Sequence, residues 1–112
     1  MKIKTFATIL TLGMLTAATG YAADSADANW KKHCLSCHGA DGKGKTRAGR
    51  KAKVKDLTDS KVQSLYTDAQ LLDQLKNGLK DKSGKEHMKP FSDKLSETEM
   101  NELIALVRKF GK

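Results

Sequence analysis

The residues of this sequence that are best suited to chemistry are Cys34, Cys37 and His38, which form a Cys-x-x-Cys-His motif. Residues three and four apart on a helical turn share one face, so both thiols and the imidazole can meet a flat group lying against that turn. This spacing is typical of c-type haem attachment. The motif therefore predicts one covalent haem c, bound through thioethers to Cys34 and Cys37, with His38 as an axial ligand of the iron.

Three other uses of these thiols compete with haem attachment. Zinc could take His33 together with the motif, but zinc sites usually draw their ligand pairs from separated segments, and the chain has only two cysteines. A thioredoxin-like dithiol needs a strand before the motif and a helix after it, and neither pattern is present. A disulfide across two residues would close a very short loop and constrain the unfolded chain little. Haem attachment is therefore the preferred interpretation.

The N-terminal segment has the three-part layout of a secretory signal peptide. Two lysines precede an apolar run over residues 6–15, and small residues follow. This run is shorter than the about 20 residues of a transmembrane helix, so an uncleaved anchor is less favoured. Cleavage after Ala22 rather than Ala23 places small residues where the peptidase requires them. We therefore expect a signal peptide at 1–22, one domain at 23–112, periplasmic export and no stable membrane insertion.

The composition indicates that the exported domain needs a structural partner for its core. Removing 22 of the 112 residues leaves 90, with one Trp, three Phe, two Tyr and a charged fraction of 30% in the whole chain. Side chains alone supply only a modest core in a domain of this size, and a covalent haem would add a large apolar body. Loss of Lys2 and Lys4 with the signal lowers the formal charge from +8 to +6. Two haem propionates would lower it further, to about +4.

Much of the positive charge lies in a loop-like stretch after the motif, which consists of Lys43, Lys45, Arg47, Arg50, Lys51, Lys53 and Lys55. This stretch has no aromatic residue for stacking on bases, and an exported protein rarely meets nucleic acid, so nucleic-acid binding is not expected. Docking on acidic redox partners fits better, and a solvated surface that keeps the protein soluble is the alternative. Residues 39–46 also match the phosphate-binding pattern Gly-x-x-x-x-Gly-Lys-Thr, but no apolar strand precedes them.

Helical patterns dominate the rest of the chain. Asp24 or Ser25 can cap a first helix that carries Ala26, Trp30, Cys34 and Cys37 on one face. A short helix is expected to begin at Thr58 or Asp59, with Val62 and Leu65 inward. Capping boxes at Thr67–Gln70 and Ser96–Glu99 open two longer helices. The apolar positions of these two helices are Leu71, Leu72, Leu75 and Leu79, and Met100, Leu103, Ile104, Val107 and Phe110. Residues 80–89 read as a polar turn.

Three side chains are candidates for the sixth iron ligand. Met100 lies on the apolar stripe of the last helix, where a methionine normally packs. Met88 lies in a polar segment just before Lys89 and Pro90, where a loop can carry its thioether to the iron. His87 would bind ferric iron more tightly, but neighbouring residues of an extended segment point to opposite sides. Met88 is the preferred axial ligand, with His87 or an open position as alternatives.

With these motifs in view, the chain resembles the small bacterial monohaem class I cytochromes c. The resemblance rests on the signal, Cys34–Gly39, Asp41–Gly44, Met88–Phe91 and the segment from Leu95 to Arg108. It implies an all-α fold of three to five helices around one haem, with the first and last helices crossing beside it and the loop methionine bound to iron. Family members commonly have a proline whose carbonyl orients the axial histidine, and an aromatic on the last helix. No proline lies between Gly39 and Lys89, so another carbonyl must serve, and Leu106 or Phe110 must replace the aromatic.

The resemblance implies a soluble, monomeric, periplasmic one-electron carrier that is not an enzyme. A thioether is a soft donor that favours ferrous iron, so His/Met ligation implies a higher potential than two histidines would give. Its partners would be redox proteins with acidic docking faces. Two alternatives stay open: an electron-accepting subunit of a periplasmic enzyme, and a haem-based gas sensor if Met88 does not bind the iron.

Overall fold

The structure is a computed structural model that describes Gly13 and residues 23–112, so the predicted signal peptide lies outside the described residues apart from Gly13. Helices predominate in this part of the chain, and one short antiparallel hairpin accompanies them. The first helix, α1, consists of three consecutive segments, Ala26–Asn29, Trp30–Cys34 and Leu35–His38. The other elements are α2 (Arg47–Ala52), α3 (Ser60–Gln63), α4 (Asp68–Asn77), β1 (Leu79–Lys80), β2 (Glu86–Met88) and α5 (Glu97–Phe110). The all-α prediction is confirmed.

Helix α1 carries the Cys-x-x-Cys-His motif in its last turns. Ser25 caps the helix, its hydroxyl accepting a hydrogen bond from the Ala28 N–H at 3.2 Å. The segment Trp30–Cys34 is a π-helical turn, in which the Leu35 N–H donates to the Trp30 carbonyl. Such a turn holds one residue more than an α-helical turn, so the regular 3.6-residue stripe expected from the sequence is interrupted. Trp30 and Cys34 are buried as predicted, whereas Cys37 is partly exposed.

Helices α1 and α5 pack against each other, as the resemblance implied. Asn29 is only 1% exposed, and its Nδ2 donates to Glu99 Oε2 at 2.8 Å. The rings of Trp30 and Phe110 are tilted against each other with centroids 5.0 Å apart, so Phe110 takes the aromatic position on the last helix. The buried apolar core consists of Trp30, Cys34, Leu75, Phe91, Leu95, Met100, Leu103 and Ile104.

Both predicted capping boxes are present. The Thr67 hydroxyl accepts from the Gln70 N–H at 3.2 Å, and Gln70 Oε1 accepts from the Thr67 N–H at 2.8 Å. Ser96 and Glu99 make the equivalent pair of bonds, each at 3.1 Å. These bonds satisfy N–H groups that have no partner within the helix, which fixes where α4 and α5 begin.

Three sequence-based expectations were wrong. Leu79, expected on the apolar face of α4, lies beyond the end of that helix at Asn77; it belongs to β1 and is 40% exposed. Leu65 is 54% exposed rather than inward, because α3 ends at Gln63 and Leu65 lies in the turn that follows the helix. The polar segment expected as a plain turn forms the β1–β2 hairpin. Its turn is organised by Asp81, whose Oδ1 accepts from the N–H groups of Ser83 and Lys85 at 2.9 and 3.0 Å.

Candidate haem-binding site

A single large cavity brings the predicted site residues together. Its volume is about 630 Å³, and its lining includes Cys34, Cys37, His38 and Met88. This volume lies within the 300–1,000 Å³ typical of cofactor sites. Apolar walls are provided by Val54, Leu57, Val62, Leu71, Leu79, Phe91 and Val107. The arrangement suits a large, flat, apolar group held by sulfur at one wall, with a nitrogen and a thioether available to a metal.

The two thiols differ in their surroundings. Cys34 is buried and Cys37 is partly exposed, and their sulfurs are not bonded to each other. Burial, and secondarily the charge of Cys37, raises the pKa of the Cys34 thiol to about 11. A redox-active dithiol needs a lowered pKa, so this environment opposes the thioredoxin-like alternative. Zinc also lacks support, because no three His, Cys, Asp or Glu side chains within residues 23–112 are grouped to hold a metal ion.

His38 is held by packing rather than by a carbonyl. Its ring lies 5.7 Å from the Trp30 ring, centroid to centroid, and Trp30 Nε1 donates to the Gly39 carbonyl at 2.9 Å. Nδ1 of His38 is buried, and no group within residues 23–112 forms a hydrogen bond with it. The expected substitute for the family's proline carbonyl is therefore not found. Burial lowers the pKa of His38, which favours the neutral imidazole that can bind a metal.

Thr46 and Gly49 fix the end of the motif. The single proton of the Thr46 hydroxyl is shared between the carbonyls of Ser36 and Cys37, whose oxygens lie 2.8 and 2.9 Å from Oγ1, and Oγ1 accepts from the Gly49 N–H. A Cβ added at Gly49 would lie 2.2 Å from the Cys37 carbonyl oxygen, so α2 can approach this closely only with glycine there. Sequence reasoning missed both roles, although Thr46 precedes α2 as a helix-capping residue should. Because this hydroxyl is fully engaged and no strand lies within residues 23–45, the phosphate-loop pattern has no structural basis.

The three candidates for a sixth ligand occupy different environments. Met88 lies on β2, opposite Leu79 of β1, and is partly buried at the cavity wall. His87 also lines the cavity, and its Nε2 lies 2.8 Å from Asp81 Oδ2. Met100 is only 3% exposed and belongs to the core of α5. The structure thus places Met88 with the motif and leaves Met100 as a packing residue, as expected for an apolar helix stripe.

Arg108 and Gln63 form a polar network at the cavity wall that sequence reasoning missed. Arg108 Nε donates to Asp68 Oδ1 at 2.8 Å, and Nη2 donates to the Tyr66 carbonyl at 2.6 Å. Gln63 Nε2 donates to the Leu57 carbonyl at 2.6 Å, while its own Oε1 accepts from Arg108 at 3.1 Å. The network joins the segment 57–68 to α5. The sequence signal was slight, a basic residue in the last turn of a helix.

Comparison with known proteins identifies the family. A family model described as cytochrome c oxidase, cbb3-type, subunit III matches residues 22–107, which is most of the chain. The chain belongs to this cytochrome c family. Among solved structures, the KustC0563 c-type cytochrome is similar, with a TM-score of 0.70 and 29% identity over 80% of this chain and 100% of that chain. A tyrosine-to-phenylalanine mutant of that protein has a TM-score of 0.67 and 29% identity, over 78% of this chain and 99% of that chain. No match was found among curated proteins.

The protein is thus a small monohaem class I cytochrome c, an electron carrier with one covalent haem c. The cavity fits that group, because it combines apolar walls with two thiols, a buried imidazole and a thioether. Among the described residues of the cytochrome, no helix is long and apolar enough to cross a membrane.

Proposed function

We propose that this cytochrome is exported to the periplasm, that residues 23–112 form its mature domain, and that it transfers single electrons as a soluble carrier. Cys34 and Cys37 hold the haem through thioethers, and His38 and Met88 are its axial ligands. One observation carries the proposal: these four side chains line one cavity, although Met88 is 50 residues beyond His38 in the chain.

A haem c bound in this cavity supplies a one-electron couple, its iron alternating between the ferrous and ferric states. The chain's part is to hold both ligands in either state and to keep the site apolar. The His38 ring lies 5.7 Å from that of Trp30, centroid to centroid, and the carbonyl of the preceding residue, Cys37, accepts from the Thr46 hydroxyl. Met88 is held by its strand pairing with Leu79. The soft thioether of Met88 favours ferrous iron, so it raises the reduction potential.

Lysines around the cavity suit it to acidic redox partners. Five exposed lysines line the edge of the cavity: Lys32, Lys53, Lys55, Lys89 and Lys94. A positive surface around the site of electron transfer attracts an acidic partner and orients it with the cavity facing the docking interface. The carrier would act as a monomer in transient complexes of this kind.

A second function is an electron-transferring subunit of a periplasmic enzyme. The matching family model is named after an oxidase subunit, which favours this alternative over a gas sensor. A subunit would copurify with its enzyme from periplasmic extract at physiological salt, whereas a carrier would elute alone at the size of a single domain.

Four measurements on protein purified from the periplasm test the proposed site and the proposed mature N-terminus. Acid-acetone should leave the haem attached to the denatured chain, because thioethers survive this treatment; haem in the extract would refute attachment through Cys34 and Cys37. The ferric protein should show the weak far-red absorption band of an iron–thioether bond. Absence of that band together with carbon monoxide binding to the resting ferrous protein would indicate an open position and the sensor alternative. Mass spectrometry should find Ala23 at the mature N-terminus.

A further inference from the structure

We propose that Asp81 is a positioning residue that prevents His87 from replacing Met88 as the axial ligand. The proposal rests on the ligation by Met88 proposed above. It assigns the selection of the ligand to the hydrogen bond between Asp81 and His87, in which His87 lines the cavity and Asp81 does not.

The hairpin creates a competition between two ligands. His87 and Met88 are adjacent on β2, and both line the cavity. Histidine is a harder donor than a thioether and is preferred by ferric iron, so exchange would lower the reduction potential. A carrier that depends on Met88 therefore needs some means of holding His87 back.

The alternation of side chains along β2 does not keep His87 out of the cavity. Leu79 pairs with Met88 and Lys80 pairs with Glu86, so the register shifts between these two pairs and His87 is the extra residue of a bulge. A bulge redirects a side chain and weakens the strict alternation of a regular strand. This explains how two successive residues of β2 can both reach the cavity.

Asp81 supplies the missing restraint. Its Oδ2 lies 2.8 Å from His87 Nε2, which is the ring nitrogen farther from the backbone and hence the one best able to reach a metal. The carboxylate is itself fixed, because Oδ1 accepts from the Ser83 N–H at 2.9 Å, the Ser83 hydroxyl at 2.6 Å and the Lys85 N–H at 3.0 Å. A hydrogen bond to a carboxylate anchored in this way holds the imidazole at the hairpin and occupies Nε2, the nitrogen that would otherwise bind the iron.

The test compares ferric absorption spectra and reduction potentials of haem-loaded variants. Asp81→Ala should lose most of the far-red band of the iron–thioether bond and fall in potential, because His87 is released to the iron. The double variant Asp81→Ala/His87→Gln should recover the band, since the competing ligand is gone. Ser83→Ala is the matched control: it removes one bond to the same carboxylate, leaves the bond to His87 in place, and should keep the band.

Two results would overturn the proposal. One is an unchanged band in Asp81→Ala, and the other is a lost band that the double variant does not recover, which would mean that Asp81 only shapes the turn. If Asp81→Ala fails to incorporate haem, Asp81→Asn takes its place in the same comparison. The introduced amide would keep an oxygen that accepts from the N–H groups of the turn, so a partial loss of the far-red band is expected. Failure of the Met88 assignment is seen separately, as absence of the band in both the unmodified protein and His87→Gln.

Discussion

Arg108 of α5 donates through Nη2 to the carbonyl of Tyr66 at 2.6 Å, and this bond ties the last helix to the segment that covers one side of the haem cavity. The same guanidinium reaches Asp68 through Nε and Gln63 through Nη1. Because guanidinium donors form a rigid planar fork, one side chain can fix three groups from different turns at once. The position of Arg108 therefore bears on both stability and potential.

Replacing Arg108 by methionine should lower the free energy of unfolding and the reduction potential together. The Asp68 side chain is 72% exposed, so solvent weakens that ion pair, and most of the effect comes from the bonds to the Tyr66 carbonyl and Gln63. A hydrogen bond to a charged group contributes about 1.5–3 kcal/mol, so we expect a total loss of roughly 2–4 kcal/mol. Loss of a cation from the cavity wall also favours ferric iron. Denaturant unfolding and a redox titration measure the two effects. Arg47→Met removes the same charge from an exposed position and should change neither quantity much; equal effects of both variants would contradict the assignment.

The two methionines should respond differently to truncation. Met88→Ala should abolish the far-red band and lower the potential, because any nitrogen or oxygen ligand that replaces the thioether is harder and prefers ferric iron. Met100→Ala should keep the band and lose roughly 2–5 kcal/mol of stability, because Met100 is buried in the core. Spectra recorded well below the melting temperature, together with denaturant titrations, separate the two outcomes. The reverse pattern would exchange the roles of the two residues.

The lysines at the cavity edge should control the rate of electron exchange with an acidic partner. Lys32→Gln and Lys94→Gln should each slow the bimolecular reaction at low salt and flatten its salt dependence, since screening acts over about 10 Å at 0.1 M salt. Stopped-flow rates with an acidic redox protein across a salt series give the comparison. Lys61→Gln and Lys109→Gln change the same charge at exposed positions outside the cavity lining. A rate independent of salt would mean that these lysines do not steer a partner and serve only to keep the protein soluble.

Stability should fall in acid through Glu99. The hydrogen bond from Asn29, followed by the one from the Ser96 N–H, lowers the pKa of Glu99 below its ordinary value of 4.5. The folded protein therefore holds this proton less tightly than the unfolded chain, so the contribution is present above pH 4.5 and is lost as the pH falls through the lower folded pKa. Glu99→Gln should flatten the pH dependence of the free energy of unfolding in that window. Glu102→Gln, an exposed change on the same helix, should leave the slope unaltered; an equal change would argue against the role of Asn29.

Local signals in the sequence were sufficient for the fold class, the haem motif and the starts of the long helices. A capping box joins residues only three apart, so Thr67–Gln70 and Ser96–Glu99 could be recognised without any knowledge of the tertiary fold. The Cys-x-x-Cys-His motif is equally local, and the cofactor it indicates is the one carried by the family. Ligation of the iron by Met88 stays a prediction, which rests on a polar, proline-flanked segment where a methionine has little reason to be present as packing.

Tertiary structure decided everything that depends on which distant groups meet. Whether Leu106 or Phe110 would pack on Trp30 depended on the rotation of α5 against α1, which no local pattern specifies. The partners of Arg108 lie 40 or more residues away in the chain, so only the folded arrangement brings Asp68 and the Tyr66 carbonyl to 2.8 and 2.6 Å from its guanidinium. The bulge at His87 likewise arises from the register of β1 against β2, since pairing between strands is fixed by turn geometry and burial rather than by the residues of one strand.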